Sequence, residues 1–118
     1  VQAMVVSYGN ALLYCGNAET ALGFEGIYDE FCTVTDFVYL MGNIYRENAM
    51  YEQALEQYQK VMGMPPGRQS GTNSFLPVYQ SGIIFEALGD INSATACYRH
   101  CTGFAPADAR LAALSPES

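Results

Sequence analysis

The sequence predicts an all-α chain, in which one helical hairpin is used three times and closed by a short terminal helix. Three observations carry this reading. The segments Gly42–Tyr58 and Gly82–Tyr98 align without a gap and share Gly, Ile, an aromatic, Ala and Tyr at matching places. A third copy anchors on Gly9, so the anchor glycines stand 33 and 40 residues apart. Within each copy the apolar residues recur at spacings of three and four, the period of a helix with one buried face.

The first unit is expected over residues 2–34. Leu12 lies three residues beyond Gly9 and Ala21 twelve beyond it, as Tyr45 and Ala54 lie beyond Gly42. Its second half is degenerate: Glu25 stands where the later copies have Tyr, with Phe24 one place earlier, and Thr33 stands where they have Pro. The second unit is expected over residues 35–66. The run Thr33 to Asp36 resembles a capping box. Phe37, Val38, Met41, Ile44 and Tyr45 form one apolar stripe, and Tyr51, Ala54, Leu55, Tyr58, Val61 and Met62 form another after a break near Asn48. Residues 63–74, with two prolines and three glycines, read as a loop insertion that supplies the longer second interval.

The third unit is expected over residues 75–106. Val78, Gly82, Phe85 and Leu88 make its first stripe, and Gly89-Asp90 pairs a helix stop with a new N-cap. Ile91, Ala94, Tyr98 and Cys101 make the second stripe. Residues 107–114 can cover the last unit as a capping helix, which repeat stacks require. Small Gly and Ala residues at the crossings let paired helices approach closely, with aromatics filling the space beside them.

Charge and composition narrow the function. Twelve acidic residues against five basic ones give a net charge of −7. That balance opposes a surface for nucleic acid or anionic lipid, where Lys and Arg must neutralise phosphates. No apolar run reaches the ~18 residues a membrane helix needs. The apolar start, Val1 to Val6, is too short for a signal peptide and has no basic lead. A chain opening on Val1 is expected to be a piece of a longer protein. The four cysteines are few and unevenly placed, which favours a reducing, cytoplasmic setting over a disulfide framework.

These residues resemble the tetratricopeptide repeat, a helix–turn–helix unit. The copies at Gly42, Tyr45, Ala54, Tyr58, Pro66 and at Gly82, Phe85, Gly89, Ala94, Tyr98, Pro106 carry the likeness best. The resemblance implies a right-handed superhelical stack of about three units. A narrower likeness covers the last third. The Phe85–Asp90 run, Tyr98–Cys101, and Pro106-Ala followed by Arg110-Leu111 are similar to the carboxy-terminal tail of certain bacterial family 2 glycosyltransferases. That likeness implies a catalytic domain elsewhere in a parent enzyme. The Asp-x-Asp motif with which such enzymes hold a metal-bound sugar nucleotide is absent from these 118 residues.

Catalytic and metal readings are weaker than packing. Cys97 and Cys101 share a helical face near His100, but two thiols and one imidazole leave a zinc site incomplete. Glu52 and Glu56 share a face with no base or nucleophile in local sequence, and His100 has no triad arrangement around it. Gly67–Thr72 lacks the Lys of a phosphate-binding loop. No cofactor or metal is expected.

The family pattern lines a concave groove with the first helix of each unit. Places three before, one after and four after each anchor glycine give Val6, Asn10 and Leu13; Tyr39, Asn43 and Arg46; and Tyr79, Ile83 and Glu86, with Tyr14 at the rim. Aromatic rings supply area and amides supply hydrogen bonds for a peptide or helix. The candidate groove residues are therefore Asn10, Tyr14, Tyr39, Asn43, Arg46, Tyr79, Ile83 and Glu86. Some tetratricopeptide domains clamp chaperone carboxylates, but only Asn10 matches that clamp here; Val6, Leu40, Leu76 and Gln80 stand at its other positions. The expected function is a non-catalytic interaction or assembly module. Its partner would be a protein or peptide, the catalytic domain of its own parent chain, or a second copy as a homodimer. A free-standing adaptor is the alternative.

Overall fold

The computed structural model describes residues 2–67 and 71–114. Among the described residues it is helical with no strand. In order, the elements are α1 (Gln2–Tyr14), α2 (Ala18–Ala21), a 3-10 helix (Leu22–Ile27), α3 (Tyr28–Phe31), α4 (Thr35–Glu47), α5 (Tyr51–Val61), α6 (Phe75–Ala87), α7 (Ile91–His100) and α8 (Ala105–Leu114). Helix α4 pairs with α5 and α6 with α7 as hairpins; α1 lies against α4, and α8 against α7.

Each hairpin turn closes in the same way. Gly16, Ala49 and Gly89 lie seven residues beyond the anchor glycines and have φ of +79°, +59° and +82°. Their N–H groups donate to the carbonyls of Leu13, Arg46 and Glu86 at 3.1, 3.0 and 3.1 Å. The next N–H groups, of Asn17, Met50 and Asp90, donate to Leu12, Tyr45 and Phe85 at 2.7, 2.8 and 2.9 Å. This double closure satisfies carbonyls that a helix end leaves bare. It recurs in the first copy as fully as in the other two. Asp90 then caps α7, its side chain accepting from the Ser93 N–H.

Helix crossings explain the small residues. A Cβ on Gly42 would lie 2.5 Å from the Tyr58 ring, and one on Gly82 2.7 Å from the Tyr98 ring. In the first copy the ring against Gly9 is Phe24, joined by Leu40 from α4. Ala21, Ala54 and Ala94 are all fully buried, at 0 % exposure.

The first unit departs from the hairpin after Ala21. In place of one second helix the chain runs through α2, the 3-10 helix and α3. Gly23 and Gly26 fall inside this stretch, and each costs a helix about 1 kcal/mol relative to Ala. The broken segment still delivers its rings. Phe24, Tyr28 and Phe31 surround Phe37 of α4, with centroids at 6.4, 6.3 and 5.4 Å. Polar contacts tie the same junction: Tyr45 donates to Glu25 at 2.8 Å, Asn48 to the Ala18 carbonyl at 2.9 Å, and Tyr28 to Gln57 at 3.0 Å.

Two local expectations need correction. The run from Thr33 to Asp36 does not form a capping box: Val34 is the N-cap of α4 and no side chain caps it. Thr35 instead donates to the Pro65 carbonyl at 2.7 Å, and buried Asp36 accepts from Thr72 at 2.9 Å. Described residues on both sides of 68–70 therefore lie against the start of α4, with Thr72 fully buried and Gly67 close enough to Asp36 that a Cβ would clash; residues 68–70 of the expected loop lie outside the described residues. The last helix begins at Ala105, two residues ahead of the expected start, which places Pro106 in its first turn. Proline suits that position because the first-turn N–H groups have no intrahelical partner.

Candidate protein-binding face

Helix α4 places Tyr39, Asn43 and Arg46 on one face, at spacings of four and three. Their surroundings differ from those of an open groove. Tyr39 is 6 % exposed and Asn43 9 %. The Tyr39 ring lies 5.9 Å from Tyr58, and its hydroxyl accepts from Gln80 of α6 at 3.3 Å. Asn43 accepts from the Tyr58 hydroxyl at 2.5 Å. Burial raises the pKa of both Tyr39 and Tyr58, so both phenols stay neutral hydrogen-bond formers. Tyr39 and Asn43 therefore hold helices together. Truncating them would cost stability before it could report on binding.

Arg46 is the cation of this cluster. Its Nη1 pairs with Glu47 at 2.7 Å. Its Nε is buried and lacks a hydrogen-bond acceptor among the described residues. Burial pulls against its charge, but the nearby Tyr58 and Glu47 outweigh that and hold its pKa above the ordinary value.

Helix α6 repeats the face with Tyr79, Ile83 and Glu86. Tyr79 and Ile83 are half-buried. The Tyr79 ring contacts Tyr98 at 5.9 Å and meets Phe104 edge-on at 5.2 Å. Glu86 accepts from the Tyr98 hydroxyl at 2.9 Å and forms an ion pair with Arg110 of α8. On α1, Asn10 is exposed and Tyr14 stands 93 % exposed at the helix end.

The structure thus gathers α4 and α6 residues into two polar clusters, each centred on a buried tyrosine. Sequence reasoning missed the partners Tyr58, Gln80, Tyr98 and Arg110. A signal was present: Tyr58 and Tyr98 recur sixteen residues beyond their anchor glycines. The hydroxyl of each reaches back to the face of its own first helix, to Asn43 in one copy and Glu86 in the other.

The cysteine cluster behaves as packing. Cys101 is 2 % exposed and donates its thiol to the Phe75 carbonyl at 3.3 Å. Burial pushes the Cys97 and Cys101 thiols up, which makes them poor thiolates. His100 is exposed. Among the described residues no three potential metal ligands come together, and no helix is long and apolar enough to cross a membrane.

Among curated proteins, no sequence matches this one closely enough to count as a relative. The family model described as tetratricopeptide repeat matches twice, over residues 35–68 and 78–108, which is more than half of the chain. Those matches fall on the α4–α5 and α6–α7 hairpins, with their shared turns, glycine crossings and buried tyrosines. The chain belongs to the tetratricopeptide repeat family, whose helical stacks serve as protein–protein interaction modules.

Proposed function

We propose that the chain is a non-catalytic docking module that grips an extended segment of a partner protein along α4 and α6, with Arg46 as the polar anchor. The observation that carries this is the Arg46 Nε, a buried donor with no acceptor among the described residues. Such a donor costs about 1–3 kcal/mol unless something supplies an acceptor. The Arg46 side chain as a whole is 21 % exposed, so a small rotation lets its guanidinium meet a backbone carbonyl or carboxylate of a bound segment, and half-buried Tyr79 and Ile83 on α6 offer apolar area. The α1 residues Asn10 and Tyr14 extend this face as adaptable contacts.

A panning experiment tests the reading. Extended peptides selected from a random library by immobilised chain are titrated against the wild type and Arg46→Met. A hydrogen bond to a charged group contributes about 1.5–3 kcal/mol, so affinity should fall roughly 10- to 100-fold while circular dichroism shows the helices retained at the binding temperature. Equal affinity for both chains overturns the anchor role.

The same face would serve a catalytic domain on the same polypeptide, which is how a glycosyltransferase tail would use it. That second reading rests on the likeness of residues 85–111. Repeat geometry already accounts for several of them: Gly89 turns the chain, Asp90 caps α7, and Glu86 pairs with Arg110. We place the module in a reducing, cytoplasmic setting because its four cysteines are unpaired.

A further inference from the structure

Helix α1 leaves bare a face that later units bury. Five before, one before and two beyond its anchor glycine, α4 presents Phe37, Met41 and Ile44. All three are fully buried, and Phe37 lies beneath the Phe24, Tyr28 and Phe31 rings of the preceding unit. The same places on α6 hold Pro77, Ser81 and Ile84. Pro77 and Ile84 are buried, and Ile84 belongs to the core built around α4 and α5. On α1 those places hold Met4, Tyr8 and Ala11. Met4 is 74 % exposed, Tyr8 59 %, and Ala11 is exposed as well.

The end of a repeat stack needs a polar outer face. On α8 Asp108 stands exposed, whereas none of the 13 residues of α1 is charged. We propose that the outer face of α1 seats a further helical hairpin of the same repeat type, carried on the same polypeptide ahead of Val1. The bare face continues the interface that already joins the first unit to the second and the second to the third.

Area decides between an attached unit and a second copy. A helix of 13 residues is about 20 Å long and 10 Å wide, so one face offers roughly 200–300 Å². Each partner in a stable complex of separate chains buries about 800 Å². A unit joined by a short linker works at a high effective concentration and needs far less. The seat uses Met4, Tyr8 and Ala11 of α1, whereas the docking face reaches this helix through Asn10 and Tyr14.

The test compares residues 1–118 with the same chain extended by whatever its gene encodes ahead of Val1. Hydrogen exchange at the α1 amides should slow at least tenfold in the extended chain. Met4→Glu and Ala11→Glu, both at exposed positions, should leave the melting of residues 1–118 unchanged. In the extended chain they should lower the midpoint and cancel the α1 protection. Equal α1 exchange in the two lengths overturns the proposal, and so does a start codon directly before Val1. A dimer of residues 1–118 in sedimentation that Met4→Glu dissociates would assign the face to a second copy and overturn it too.

Discussion

Replacing Gly42 with Ala tests the packing logic that makes each hairpin. The new Cβ would lie 2.5, 2.7 and 3.1 Å from Cε1, Cδ1 and Cζ of Tyr58. Carbon atoms in comfortable contact are about 3.5–4.0 Å apart, so the ring must retreat by about 1 Å. It has little room to do so. Tyr58 is 1 % exposed, packs on Tyr39, and holds Asn43 through its hydroxyl. Overpacking of this kind costs about 1–3 kcal/mol, and the helix preference of Ala over Gly returns up to about 1 kcal/mol. The net expectation is a loss of about 1–2 kcal/mol, or roughly 4–8 °C for a chain of this size. Gly23 provides the control. It has negative φ and open space around its Cβ position, so Gly23→Ala should be neutral or stabilising by up to about 1 kcal/mol. Urea denaturation followed by circular dichroism reads both variants, and the pair Gly42→Ala with Tyr58→Leu closes a double-mutant cycle. If Gly42→Ala proves neutral, or its cost is the same in the Tyr58→Leu background, the crossing does not work as argued.

Two further outcomes follow from the turns and the tyrosines. Ala49 holds φ +59° where the equivalent turn residues are Gly16 and Gly89. Left-handed backbone costs a residue with a Cβ about 1–2 kcal/mol, and the unfolded-state entropy of Gly offsets part of what the substitution would gain. Ala49→Gly should therefore raise the thermal midpoint by a few degrees, and a lowered midpoint would contradict the strain. At high pH, Tyr45 and Tyr98 matter because burial pushes both up to about 12. An acid whose folded pKa is raised gives stability that is full below the ordinary phenol value of about 10 and is lost as pH climbs through 12. The part of the tyrosinate absorbance that Tyr45→Phe and Tyr98→Phe remove should appear together with loss of helical dichroism between those limits. If that part forms while the helices persist to pH 12, the two phenols are not held as described.

Much of the fold was legible because the repeat writes it in small residues. A glycine at a crossing, an alanine twelve residues on and a stop seven residues on each have one mechanical use, and each recurs. The first unit shows the limit of that code. Its first helix and turn obey it, while Gly23 and Gly26 break its second helix without breaking its ring contacts with Phe37. Local propensity and inter-unit packing are separate demands, and only the first can be read in a short window. The insertion hid its structure for the same reason. Its Gly and Pro content announces a loop, but the bond from Thr72 to Asp36 spans 36 residues.

The candidate face was half legible, and the hidden half has a physical cause. Position on a helix tells which way Tyr39 and Asn43 point, but not how close the neighbouring helix comes. Here α5 and α6 come close enough to bury both side chains, through Tyr58 and Gln80. What was a groove wall in the pattern became an interior seam. Arg46, one turn further along α4, lies where that seam opens, and it keeps a donor that the seam does not satisfy. A residue whose cost the fold leaves uncompensated is better evidence for a partner than one that merely faces the right way. On the docking model proposed above, Arg46, rather than Tyr39 or Asn43, is therefore the substitution expected to separate binding from folding.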